Sequence, residues 1–373
     1  STSLFGSDNA LAAARDYLSK KLGKEFTDIR VSLDEDTLRE SLPHLPSGSD
    51  VVDYLIGGEK NSFGVSPCPG LPRGRVSQVW GHESAGKTTL ALEAASKTCA
   101  DVGVPIMDSN RFELLQPETL EDGIKYAAAY AAAGVDLIVF DSIGAAIPRR
   151  LAMRDALDVA EQGKIGELQS VWSQELPNLK RVIARTGTHI MGISQVRATM
   201  AQMGKQSKPQ GGNAWKFYSS VRLELRRVQN EKVREFNALT YSTEERVVGG
   251  IIKVTAVKCK MSRSQGREEI FYIRWGEGID NVRSVMEIAM AHGIIKKGGA
   301  GWMTWENCPS GPYKIQGLEK MRAHLIGNSD DYKALRESVL PLLGQGNAAN
   351  YVDEDDGPED ALEGVMKDAG IDI

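Results

Sequence analysis

Three absences constrain this chain before any motif is considered. Cysteine is scarce: Cys68, Cys99, Cys259 and Cys308 are scattered, with no CxxC pair and no histidine close by in the chain. That pattern excludes a disulfide scaffold, gives no reason to expect a cysteine-based metal centre, and reads as reduced structural thiols of a cytoplasmic protein. No apolar run approaches the roughly 20 residues that cross a bilayer, so no membrane span is expected. The opening Ser1-Thr2-Ser3-Leu4 shows no basic stretch leading into an apolar one, so no secretory signal is expected either. Net positive charge is also lacking. With 45 Lys and Arg against 50 Asp and Glu the chain stands at −5, so a polyanion partner requires a local basic patch.

That patch appears as a fourth, local absence. From Leu176 to Leu223 there is no Asp or Glu, while Lys180, Arg181, Arg185, Arg197, Lys205, Lys208, Lys216 and Arg222 all occur. Its middle, Arg197 to Gly212, is polar, contains glycine and shows no clear periodicity, so it reads as a loop. Such a loop presents Arg197, Lys205 and backbone amides to phosphates without reading base sequence. A basic loop that merely solvates has the same composition, and composition leaves both readings open.

What is present is an ordinary globular make-up: 373 residues, 41% hydrophobic and 25% charged, enough for one large core and a smaller second domain. Residues 8 to 22 predict an amphipathic helix, capped by Asp8, with Leu11, Ala14, Leu18 and Leu22 on one face and Gly23 as a stop. Its stripe packs either on its own core or on a neighbouring subunit. Gly57 to Gly74 reads as a Gly-, Pro- and Ser-rich loop. Val76 to Trp80, Val104 to Met107, Leu137 to Phe140 and His189 to Ser194 are near-continuous apolar runs, as in a parallel sheet buried on both faces. Ile251 to Trp275 extends the sheet, a smaller domain follows from about Val282, and Asp353 to Asp360 marks an acidic tail.

The strongest local signal is Gly81-His82-Glu83-Ser84-Ala85-Gly86-Lys87-Thr88-Thr89, directly after the apolar run Val76 to Trp80. It matches GxxxxGK[ST] between a strand and a helix, which is the context a P-loop needs. The glycines allow close backbone approach, so successive N–H groups cradle phosphate oxygens at a helix N-terminus. Lys87 adds a point charge at the β and γ phosphates, and the Thr88 hydroxyl reaches Mg²⁺. Leu137 to Phe140 ends in Asp141-Ser142, weak evidence alone but, after a P-loop, the natural acid for the Mg²⁺ water shell. ATP and Mg²⁺ are therefore the expected cofactors, with Thr88 and Asp141 toward the metal.

Gln210-Gly211-Gly212-Asn213-Ala214-Trp215-Lys216-Phe217-Tyr218 closely resembles the glycine-rich stretch that ends the second DNA-binding loop of the RecA-type recombinases. Gly70-Leu71-Pro72-Arg73-Gly74-Arg75, the P-loop itself and Gly276-Glu277-Gly278-Ile279 look similar to that family too, and the likeness covers about residues 50 to 345. The differences suggest a divergent or phage-encoded member, in the cytoplasm of a bacterium or an infected host. The resemblance implies an α/β P-loop core with a central, mostly parallel sheet, a short N-terminal helical segment and a small C-terminal α/β domain. The corresponding divisions are an oligomerisation segment at 1–49, the ATPase core at 50–281, the small domain at 282–345 and the acidic tail at 346–373. It also implies a nucleotide site of Gly81, Glu83, Ser84, Ala85, Gly86, Lys87, Thr88, Thr89 and Trp275. DNA contacts fall on Ile165, Gly166, Arg197, Lys205, Lys208, Gly211, Gly212 and Asn213.

Four further roles rest on the same likeness, each beside a plainer alternative. Gln195 senses the γ-phosphate, or is a strand-end polar residue in a hydrogen bond. Phe217 touches a neighbouring subunit, or is a core aromatic. Lys258 and Lys260, two apart on an extended run and so on one side, reach a neighbour's γ-phosphate, or are solvated. The implied activity is DNA-dependent ATP hydrolysis by a homo-oligomeric helical filament that exchanges single-stranded DNA into a homologous duplex. A hexameric helicase with the same core, and a DNA-coating filament with little turnover, are the competing readings.

Two departures stand out. The first DNA loop, expected between Pro148 and Ser173, carries Ile165-Gly166 where the family has Met-Gly, and Ser170 and Pro177 where arginines are common. Arg111 to Leu115 reads as a strand only three residues after Val104 to Met107. Successive parallel strands need a crossover of about a dozen residues or more. Either the connection is that short or a segment of the natural chain is missing here, and the second is the expectation. No water-activating acid is assigned.

Overall fold

The computed structural model describes residues 40–99, 111–152, 161–196, 212–237 and 241–343. The predicted helix at 8–22, the run Val104 to Met107 and the acidic tail lie outside them. Among the described residues, β1 (His44–Leu45) pairs with β2 (Leu71–Pro72), and a seven-stranded sheet organises the core in the order β4-β5-β3-β6-β7-β8-β9. Its parallel half is β4 (Leu137–Asp141), β5 (His189–Gln195), β3 (Val76–Gly81) and the start of β6 (Val221–Asn237). From β6 onward, β7 (Ser242–Cys259), β8 (Glu268–Arg274) and β9 (Gly278–Ile279) continue it antiparallel. The α/β class read from the sequence therefore holds, in a mixed sheet whose parallel part bears the phosphate motif.

Burial explains why those apolar runs became strands. Every residue of β3 is buried, as are the first six of β5. Alternate side chains feed two clusters on opposite faces of the sheet. Val79 and Ile193 pack with Leu90, Ala94, Leu223, Val254 and Phe271 under α1 (Asp50–Gly57) and α2 (Lys87–Cys99). Val76 and Ile190 pack with Ile124 of α3 (Leu120–Ala132) and with Leu176 and Ile183 of α5 (Glu161–Thr186), beyond the short α4 (Arg149–Ala152). Strand β4 is only half-buried up to Phe140, since it forms the sheet edge among the described residues. The helices begin where side chains supply the missing acceptors: Ser49 accepts from Val52 N–H and Thr119 from Asp122 N–H.

An aromatic stack pins α6 (Gly212–Tyr218) to this second face. Trp172 and Trp215 meet edge to face at 5.0 Å, and Phe140 meets Trp172 at 5.3 Å. Gly192 makes the approach possible, because a Cβ there would stand 2.3 Å from the Trp215 ring.

Two expectations need correction. Arg111 to Leu115 forms no strand: the segment is irregular, and Leu114 and Leu115 are 69% and 42% exposed. Among the described residues no strand pairs with it, so its β-prone residues gain nothing from extension. Ile165 and Gly166 lie not in a loop but in the opening turns of α5.

The remaining chain builds a smaller unit. It comprises α7 (Asn281–Ala291), β10 (Lys296–Lys297), β11 (Trp302–Trp305), β12 (Tyr313–Gln316), α8 (Leu318–Gly327) and α9 (Ser329–Val339). Its own cluster includes Val285, Met303, Trp305, Met321, Leu335 and Val339. Ion pairs join it to the core: Asp50 meets Arg336 at 2.9 Å and accepts from Tyr332 at 2.8 Å, while Arg322 meets Asp280 at 2.6 Å.

Candidate nucleotide and DNA site

Three strand ends meet at one corner. Gly81, Asp141 and Gln195 are the last residues of β3, β4 and β5, where an open α/β sheet places its ligands. The ladder sets Gly81 directly opposite Gln195, and Asp141 opposite Ile193, two residues earlier on β5. Between β3 and α2 the chain turns through Gly81 at φ 156°, Ser84 at φ 60° and Gly86 at φ 84°. The φ of Gly86 favours glycine, and a Cβ there would also stand 2.3 Å from the end of the Ile273 side chain on β8, which would have to move aside. Helix α2 opens at Lys87, and the N–H groups of Lys87, Thr88 and Thr89 in its first turn lack intrahelical acceptors at this corner.

The side chains there are arranged for charge. Lys87 is 6% exposed, and its ammonium donates to the carbonyls of Gly81 at 2.9 Å and His82 at 2.7 Å. Burial lowers its pKa from the ordinary lysine value, against the opposing pull of Asp141 and Glu83. Thr88 donates its hydroxyl to Asp141 at 2.7 Å, and both residues are exposed. Gln195 is exposed beside them. Trp275 is 55% exposed just past β8, two residues beyond the Ile273 that abuts Gly86, with the Arg227 guanidinium 5.5 Å from its ring centroid.

A second arrangement lies around α6. The Lys258 ammonium donates to the carbonyls of Lys216 at 2.8 Å and Phe217 at 3.2 Å, in the last turn of α6. Helix-end carbonyls lack intrahelical donors and favour a cation. Phe217 is 52% exposed and so is not a core aromatic. Lys260 is exposed and lies close enough to Lys180 to lower that lysine's pKa, behind the larger effect of burial.

A family model described as the RecA N-terminal domain matches residues 9–280 of this chain. Protein RecA of Salinispora tropica is 32% identical over 334 residues, covering 84% of this chain and 87% of that protein. Protein RecA of Mycolicibacterium smegmatis is 30% identical over 358 residues, covering 91% and 93%. That of Nocardia farcinica is 29% identical over 372 residues, covering 95% and 97%.

The chain belongs to the RecA family.

It is accordingly a DNA-dependent ATPase that performs ATP-dependent strand exchange in homologous recombination, and the hexameric-motor and passive-coat readings are set aside. Nucleotide binding, DNA binding and filament formation go with RecA membership. No helix among the described residues is long and apolar enough to cross a membrane.

Of the DNA-binding residues expected for a RecA protein, Arg197, Lys205, Lys208 and Gly211 lie outside the described residues. Gly212 and Asn213 open α6, and Gly166 is exposed on α5. Sequence reasoning missed a buried polar chain that ties this RecA core together. Gln78 on β3 donates to Ser194, the neighbour of Gln195, and accepts from Arg222 on β6, both at 2.9 Å. Arg222 in turn lies 4.6 Å from the ring of Trp80, beside Gly81, and opposite Lys258 across the β6–β7 ladder. The alternation Val221-Arg222-Leu223-Glu224-Leu225 was a usable strand signal for β6. Nothing local announced the partners of Arg222.

Proposed function

We propose that strand exchange is driven from an ATP site divided between two subunits of the filament. One subunit supplies the P-loop from Gly81 to Thr89: its N–H groups hold phosphate oxygens, and Lys87 leaves its carbonyls to neutralise charge developing on the γ-phosphate. Thr88 and Asp141 offer hard oxygen donors, and Mg²⁺ held there supplies charge neutralisation across the phosphates. Gln195 faces the γ-phosphate from the end of β5, and Trp275 borders the nucleotide. The neighbouring subunit supplies Lys258 and Lys260, in the role an arginine finger takes in related phosphoryl transfer. Single-stranded DNA and the homologous duplex are engaged by the loop from Arg197 to Gly211 with Gly212 and Asn213, and by Ile165 and Gly166.

The observation behind this reading is the hold of Lys258 on the last turn of α6. The helix begins where the basic loop ends, it presents the exposed Phe217, and it borrows the cation proposed to act in trans. DNA seated in the loop, the subunit contact and the transferable cation thus share one short helix. A free subunit keeps Lys258 on its own carbonyls, which accounts for hydrolysis that waits for assembly on DNA.

Lys258→Ala should keep nucleotide binding yet lose about 10³-fold in DNA-stimulated hydrolysis, with strand exchange lost alongside. Mixing it with Lys87→Ala protein should restore part of the turnover, because intact half-sites then meet at mixed interfaces. Undiminished turnover in Lys258→Ala and Lys260→Ala, or no restoration where mixed filaments still form, would overturn the shared site.

A further inference from the structure

The small unit contains a side-chain cluster that ATP turnover does not use. Cys308 follows β11, His324 lies on α8 and Asp331 in the first turn of α9, so three separate segments converge. Their sulfur, imidazole nitrogen and carboxylate oxygen all lie within 4.8 Å of one another. The thiol and the carboxylate are 5% and 1% exposed. No histidine stands near Cys308 in the chain, so no cysteine-based metal centre was expected; folding brings His324 to it.

Asp331 and His324 are each held by further contacts. Ser310 donates its N–H to Asp331 Oδ1 at 3.1 Å and its hydroxyl to Oδ2 at 2.6 Å. The His324 ring stacks on Tyr313 with centroids 3.7 Å apart, and its Nδ1 accepts from the Asn328 amide nitrogen at 3.1 Å. The ring proton therefore sits on Nε2, which faces the cluster and donates to Asp331 Oδ2 at 3.0 Å. A metal at Nε2 moves that proton to Nδ1, where the Asn328 amide, turned over, offers its oxygen. Bonds of about 2.0 to 2.3 Å hold zinc to such atoms, so tetrahedral ligands lie roughly 3.3 to 3.8 Å apart. Shifts of about 1 Å or less bring these three to that spacing. A thiolate, a carboxylate and a neutral imidazole also balance a dication's charge, which favours placing it among buried groups.

We propose that Cys308, His324 and Asp331 form a divalent-metal site of the zinc class, with water in the fourth position, that staples the loop after β11 to α8 and α9. A small unit with a modest core is where such a staple adds most.

Cobalt(II) is the probe, added to the full chain after dialysis against chelator. A thiolate-to-cobalt charge-transfer band should appear at one equivalent, bleach on zinc addition, vanish in Cys308→Ser and persist in Cys99→Ser. His324→Gln, which alters a partly exposed side chain and spares the buried thiol, should also lose the band while its circular dichroism matches the parent. Asn328→Ala should bind cobalt about 10- to 100-fold more weakly. No band in the intact protein, a band that survives Cys308→Ser, or unchanged affinity in folded His324→Gln would each overturn the site and leave a hydrogen-bonded triad in its place.

Discussion

Two regions of this molecule gather charged side chains at the ends of elements, and they use them in opposite ways. At the phosphate corner, Thr88, Asp141 and Gln195 are exposed, and the buried Lys87 leans on backbone carbonyls of its own loop. At the seam between core and small unit, charges are matched by charges: Asp50 with Arg336, and Arg322 with both Asp280 and Glu277. The seam's charges are paired within the chain, whereas the corner, on the reading proposed above, meets the charge of a bound nucleotide. Function should therefore be removable at the corner with little effect on stability, and stability at the seam with little effect on function.

The largest expected effect tests the first half of that contrast. On the site proposed above, Lys87→Ala removes the cation assigned to the transferred phosphoryl group, and ATP hydrolysis should fall by about 10³-fold. Its thermal transition should move no further than that of the seam variant below, since Lys87 donates to backbone carbonyls and leaves no paired charge behind. Turnover within a few-fold of the parent would dissolve the comparison, because the corner would then not be the catalytic end of the molecule.

The seam variant comes next. Arg336→Ala leaves Asp50 with Tyr332 but without its guanidinium, in a pair that solvent partly reaches. The expected cost is about 1 kcal/mol, read as a lowering of Tm by about 2 to 4 °C. DNA-stimulated hydrolysis should be unchanged. A loss of turnover equal to that of a corner variant would show that the seam, too, belongs to the machinery.

The contrast also explains what could be read before folding. The P-loop, the strand that leads into it and Asp141 were legible because each is a local pattern, complete within about ten residues. The basic stretch was read from composition, and the middle of it, 197–211, lies outside the described residues. Arg222 with Gln78 was not, since the partners are 144 positions apart, nor was Lys258 on Lys216, 42 positions away. Neither contact depends on a spacing; each follows from which strands lie side by side. The Arg111 to Leu115 error has the same root, because a β-prone run forms a strand only when a neighbour offers a ladder.

The smallest effect concerns two titratable groups, one half-buried and one fully buried, whose contributions oppose each other. Asp53, near Asp50 and Arg336 on α1 at the seam, has its carboxyl pushed up to about 7 by burial, against the hydrogen bond it accepts from Ser47 N–H. Between about pH 4 and pH 7 the folded chain keeps this proton and the unfolded chain releases it, so Asp53 makes stability fall as pH rises. His189 at the start of β5 does the reverse: burial pulls its imidazole down to about 4, though Nδ1 contacts Pro72 O at 2.7 Å. Between about pH 4 and the ordinary histidine value of about 6.5 the unfolded chain holds the extra proton, so His189 makes stability rise with pH. The two slopes partly cancel in the parent across that shared window. Asp53→Asn keeps an oxygen for Ser47 N–H and removes one slope, so its Tm should climb with pH between 4.5 and 6.5 more steeply than the parent's. The readout is the difference in slope, which a uniform cost of the amide leaves untouched. Parallel Tm curves for parent and variant across that range would mean that Asp53 titrates as an ordinary exposed acid.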